Sequence, residues 1–116
     1  LSIFGALQGD GMIERYLDQP IAYHREFVDL GVGVTGALML SRVVYWTKRS
    51  PRTGGWFRRT HDVWTKETGM TRHQIDTARR KLVAAGVMDY KAAGLPCTMH
   101  FRARLPEIEQ FLEARR

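Results

Sequence analysis

Only three residues, Gly69, Met70 and Thr71, separate two stretches that both read as helix, and this spacing constrains the chain more than any other feature. The first stretch, "HDVWTKETG", has Thr60 in front of it as an N-cap and Gly69 as its terminator. The second opens at Thr71 and closes at Gly86; Thr71 and Gln74 supply the T-x-x-Q pattern of a capping box, which satisfies two otherwise orphan amide donors. In it Ile75, Ala78 and Leu82 form an apolar stripe, with Val83 at its border. Two helices joined by so short a glycine-containing turn are the signature of a helix-turn-helix.

What flanks the pair narrows the fold further. "WFRRT", residues 56–60, is a short strand candidate. After Gly86, "VMDYKA", "AGLPC" and "TMHFRARL" read as strand, turn and strand, with Met99, Phe101 and Ala103 alternating with His100, Arg102 and Arg104. A hairpin directly after the second helix turns a helix-turn-helix into a winged helix. Upstream, Pro20 can open a helix that Gly31 stops. "VTGALMLSRVVYWTKRS" follows as the central core helix: it is apolar around most of its circumference, with Thr35 and Arg42 on a narrow polar stripe. "SPRTGG", residues 50–55, is a loop by composition, and Pro106 opens a last helix with Ile108, Phe111 and Leu112 inward. The expected class is mainly α with a small β-hairpin (α+β), a winged helix-turn-helix over residues 21–116. Residues 1–20 form an N-terminal arm and the favoured oligomerisation segment, and the terminal helix is the other dimer surface to consider.

Charge points to the kind of partner. The 116 residues suit one domain, and a net charge of +6 with a pI near 10.0 leans toward an acidic partner, most simply nucleic acid. Residues 41–81 hold eleven bases and three acids, whereas residues 1–30 hold two bases and five acids. A lone cysteine, Cys97, excludes an internal disulfide framework and fits a reducing compartment. No targeting segment is recognisable and no apolar run approaches about 20 residues, so the expectation is a cytoplasmic protein with no membrane role.

"LSRVVYWTKRS" and "GGWFRRTHDVWTKETGMTRHQIDTARRKLVAAGVMDY" together resemble the winged-helix proteins of phages, plasmids and other mobile elements, some of which are the N-terminal DNA-binding part of replication initiators or replisome organisers. The elements that carry the resemblance are Tyr45-Trp46, Gly55-Trp56, Trp64, and Ala78-Arg79 through Gly86, within residues 21–105. It implies sequence-specific binding of double-stranded DNA, in replication initiation or transcriptional control.

A helical projection assigns the faces. With Ile75 at the origin and about 100° per residue, the side opposite the apolar stripe carries His73, Asp76, Thr77, Arg80 and Ala84, with Arg72 and Arg79 flanking the stripe. This face is basic in its N-terminal half, where recognition helices read bases. Arg72, His73, Thr77 and Arg80 are the expected base contacts: arginine suits guanine O6 and N7, and the Thr77 methyl suits thymine. Asp76 can accept from cytosine N4, or it can brace Arg72 and Arg80, each four residues away. Arg58, Arg59, Lys66, Thr71, Arg79, Arg102 and Arg104 are the expected phosphate contacts on either side of one groove. Lys48, Arg49 and Arg52 are supplementary ones.

Other chemistry finds little support. His24, His61, His73 and His100 are scattered, and Cys97 and His100 give a lone C-x-x-H with no second half, so no metal is expected. Gly9 and Gly11 lack the strand and lysine of a phosphate loop. With no Ser/His/Asp arrangement to defend, the expectation is a non-enzyme without cofactors, pairing as a homodimer on DNA and meeting replication or host proteins. Trp46 and Trp64 read as core, while Trp56 can be core or a stacking surface. The alternative reading is a winged-helix protein–protein module, an adaptor or inhibitor of a host complex that does not read DNA.

Overall fold

The most apolar helix of the sequence is the one on which the rest is assembled. In a computed structural model, which describes Ile13, Arg15, Leu17 and residues 20–116, this helix is α1 (Gly33–Lys48). Strand β1 (Phe57–Arg58), helices α2 (His61–Thr68) and α3 (Arg72–Ala84), strands β2 (Met88–Ala93) and β3 (Thr98–Ala103) and helix α4 (Leu105–Ala114) follow in order. The architecture is α+β, with one antiparallel sheet in the order β1-β3-β2. Apart from the few positions named, the expected arm at 1–20 lies outside the described residues. No helix among the described residues is long and apolar enough to cross a membrane.

The core forms where the inner face of the sheet meets three helices. Met39, Leu40 and Val43 of α1, Trp64 of α2, and Ile75, Ala78 and Leu82 of α3 are buried with Met88 and Phe101. Phe101 sits at the centre of the sheet opposite Phe57 on one side and Tyr90 on the other. The Trp64 indole meets it edge-on at 5.5 Å, an arrangement that aromatic quadrupoles favour. Period-two alternation then sends Arg58, Asp89, Lys91, His100 and Arg102 to the opposite, outer face of the sheet.

Two expectations change. The helix expected from Pro20 is only a 3-10 helix, Arg25–Leu30, and residues 20–24 are irregular. The Ser41 hydroxyl accepts the His24 amide at 2.9 Å and holds that residue extended, so helix cannot propagate back through it. The expected stop at Gly31 is present in the left-handed conformation (φ 82°). Arg42, placed on a polar stripe of α1, is instead buried.

Candidate nucleic-acid interface

The turn between α2 and α3 is set by local chemistry. Gly69 adopts φ 77°, a conformation costly for any residue with a Cβ, and its amide closes α2 on the Thr65 carbonyl at 2.8 Å. Met70 is buried beneath the turn. Both halves of the capping box form: the Gln74 amide donates to Thr71 Oγ1 at 3.2 Å, and the Thr71 amide to Gln74 Oε1 at 2.9 Å. Thr60 caps α2 in the same way through the Val63 amide. With Ile75, Ala78 and Leu82 buried, the opposite face of α3 meets solvent.

On that face the structure brings together Arg72, His73 and Arg80, all exposed, with Thr77 half-buried beside them. Arg80 leans on Thr77, Nη2 to Oγ1 at 3.4 Å. Neither Arg72 nor Arg80 has an acidic partner among the described residues. Thr71 is exposed at the start of α3, and Lys66, exposed in the last turn of α2, lines a cleft with Pro20, Ile21, Arg42 and Tyr45.

Asp76 does not brace Arg72 and Arg80 as its spacing suggested. Its Oδ1 lies 2.8 Å from His61 Nε2 at the start of α2 and 3.8 Å from Arg79, rather than between Arg72 and Arg80. An ionised carboxylate only accepts, so His61 Nε2 is the donor. The hydrogen bond from His61, reinforced by His61, Arg79 and Arg72 charge, holds the Asp76 carboxyl below its usual range despite some burial. Asp76 is therefore a strap between the two helices. Arg79, expected on phosphate, lies mostly covered, with its guanidinium stacked on Tyr90 at 4.3 Å.

The remaining expected phosphate contacts lie on the sheet and around it. Arg58 is exposed on the outer face of the sheet, and Arg102 shares that face, turned away from Phe101 and the helices behind it. Arg102 pairs with Asp89 at 2.6 Å, and Arg104 reaches both Asp89 (3.2 Å) and Glu107 (2.7 Å). Burial pushes the Asp89 carboxyl up, but hydrogen bonds from Arg102 and Arg104 outweigh it and leave the group below its usual range. Arg59 is mostly enclosed. Its side chain, 11% exposed, donates to Glu67 at 2.6 Å and lies over Trp46 at 4.8 Å.

Glu67 organises a cluster that the sequence reading missed. Its two carboxylate oxygens hold Arg42 at 2.7 Å and Arg59 at 2.6 Å, and Oε2 also accepts the Trp46 indole N–H at 3.2 Å. Burial lowers the Arg59 pKa, with Glu67 opposing and Arg42 adding to that shift. A signal was there to find: an arginine inside so apolar a helix demands an acid, and Glu67 lies on the helix carrying the buried Trp64. Trp46 is accordingly a half-buried donor to this cluster, whereas Trp64 is core.

Among the described residues, no group of three or more His, Cys, Asp or Glu side chains is placed to hold a metal ion, and Cys97 is exposed in the β2–β3 turn. No protein-family model, curated protein or solved structure matches the chain.

Proposed function

We propose that the chain is a winged helix-turn-helix that binds double-stranded DNA, with α3 in the major groove and β2–β3 as the wing. The observation that carries this reading is the exposed face of α3. Arg72, His73 and Arg80 stand free of acidic partners among the described residues, and Asp76, the acid of α3 itself, is drawn aside onto His61. Arg72, His73, Thr77 and Arg80 read base edges; Thr71 contacts phosphate beside them, and Lys66 adds a phosphate contact from α2. The protein acts by binding rather than catalysis. The sequence resemblance supports a role in replication initiation or transcriptional control of a mobile element, with the protein pairing as a homodimer on its site.

The test is fluorescence anisotropy with mixed-sequence duplexes, titrated from low to physiological salt, for the parent protein and Arg80→Ala. Expected is an affinity whose logarithm falls linearly with log salt, by about 0.9 per phosphate neutralised, and which drops in the variant. Absence of binding at low salt favours a protein-partner module instead. That second reading draws on Val63 of α2 and Val83 of α3, each 43% exposed.

A further inference from the structure

Reading DNA through α3 leaves the other basic surface without a role. On the outer face of the sheet and the loop beside it, cations surround one aromatic ring. Lys91 Nζ lies 4.3 Å from the Trp56 ring centroid and Arg102 Cζ 4.7 Å from it. Trp56 also lines a cleft of about 450 Å³ with Arg49, Ser50, Pro51, Arg52 and Thr53, a lining that contains no acid. Arg49, Arg52, Arg58 and Lys91 are exposed, and Trp56 is half-buried.

The scaffold under this ring is firmly built. The buried Thr47 hydroxyl donates to the Gly55 carbonyl at 3.0 Å and accepts the Ala103 amide at 2.9 Å, so it ties α1, the loop and β3 together. Gly55 has φ +93°, and a Cβ there would come within 2.9 Å of Thr47 and 3.3 Å of Arg102. Only glycine lets the chain pass beneath the Arg102 stem and deliver Trp56 to the surface. The Thr53 hydroxyl donates to the Trp56 carbonyl, and the Trp56 amide donates to the Thr53 carbonyl at 3.3 Å.

We infer that Trp56, with Arg49, Arg52, Lys91 and Arg102 around it, is a binding site for single-stranded nucleic acid, separate from the α3 face. A positively charged track that follows the backbone, combined with an aromatic ring for a base to stack on, is how strands are held without sequence preference. The aromatic ring selects a single strand because bases in a duplex are already stacked on one another. Arg49, Arg52 and Lys91, which have no acidic partner among the described residues, supply the complementary charge for its phosphates, whereas Arg102 is paired with Asp89 on the same face and backs the ring. The site does not depend on the reading of α3.

Anisotropy with a fluorescein-labelled oligothymidylate of about twelve residues tests it, run beside a duplex on the same proteins. Trp56→Ala should weaken oligothymidylate binding by about 5- to 150-fold, the loss of one stacked base, whereas Trp56→Phe should keep most of it. Arg80→Ala should leave oligothymidylate binding unchanged while weakening the duplex. Arg52→Glu and Lys91→Glu, both at exposed positions, carry the same test if Trp56→Ala does not fold, and each should weaken oligothymidylate binding severalfold. Three results would each overturn the site: no oligothymidylate binding at low salt, binding indifferent to all of the Trp56, Arg52 and Lys91 changes, or equal loss in Arg80→Ala. Failure of duplex binding alone would sink the α3 reading and leave this one standing.

Discussion

Arg59 and Arg80 are the same residue type in the same basic stretch of sequence, and the fold uses them in opposite ways. Arg59 is enclosed between Trp46 and Glu67, its charge committed within the molecule. Arg80 projects from α3 with only Thr77 to lean on. The outer face of the sheet lies between these extremes, since Arg102 and Arg104 are partly exposed but share Asp89. Counting basic residues therefore overstates the charge offered to a partner. What matters is how many of them the fold leaves uncommitted.

The largest effect should come from breaking the interior set. Glu67→Ala strands Arg42 and Arg59 beside one another in a mostly buried site, and a loss of about 3–5 kcal/mol in denaturant unfolding is expected. A loss under about 1 kcal/mol would mean that the two arginines reach water without it. Next, Arg80→Ala should cost about 1–3 kcal/mol of duplex affinity yet leave stability within about 0.5 kcal/mol. Arg59→Ala should do the reverse, lowering stability without changing the salt slope of binding. If both variants changed the slope alike, the contrast between the two regions would collapse.

Removing the α3 cap is a smaller perturbation. Thr71→Ala gives up the bond to the Gln74 amide and should cost about 1 kcal/mol, measured by thermal or urea unfolding. Smallest is a dependence on acid. Asp76 and Asp89 both have folded pKa values held below their usual range, so their stabilisation is complete above the unfolded aspartate value of about 3.9. It is lost as pH falls below that value and through the folded pKa values. Asp76→Asn should make that decline shallower, and an unchanged profile would show that the strap to His61 contributes nothing in acid.

Much of this architecture was legible in the chain. Thr60 and Thr71 as caps, Gly69 as the stop between them, the Ile75–Ala78–Leu82 stripe and the alternation ending at Ala103 all appear where their local patterns place them. Those features depend on neighbours within four residues, or on a period that each residue carries with it. The late start of the helix, at Arg25 rather than Pro20, was not legible because Ser41, a residue from another element, takes the amide of the extended His24.

The exposed members of the α3 face were legible for the same reason: once the apolar stripe is known, the opposite side of a helix follows from its pitch. The partners of the charged residues were not. Asp76 with Arg72 or Arg80 was a sound pairing by helical spacing, but His61 approaches from α2 at 2.8 Å and takes it. Glu67 meets Arg42 and Arg59 only because α1, α2 and the end of β1 converge on one point.

Local order, the turn between α2 and α3, and the direction in which α3 buries its stripe came from residue types and their spacing. Which cations are free, which are paired, and on which side of the sheet they stand came from packing between elements distant in sequence. Capping and periodicity are short-range and survive translation into a linear pattern. A salt bridge depends on where two side chains end up in space, and no spacing rule encodes that when they belong to different elements.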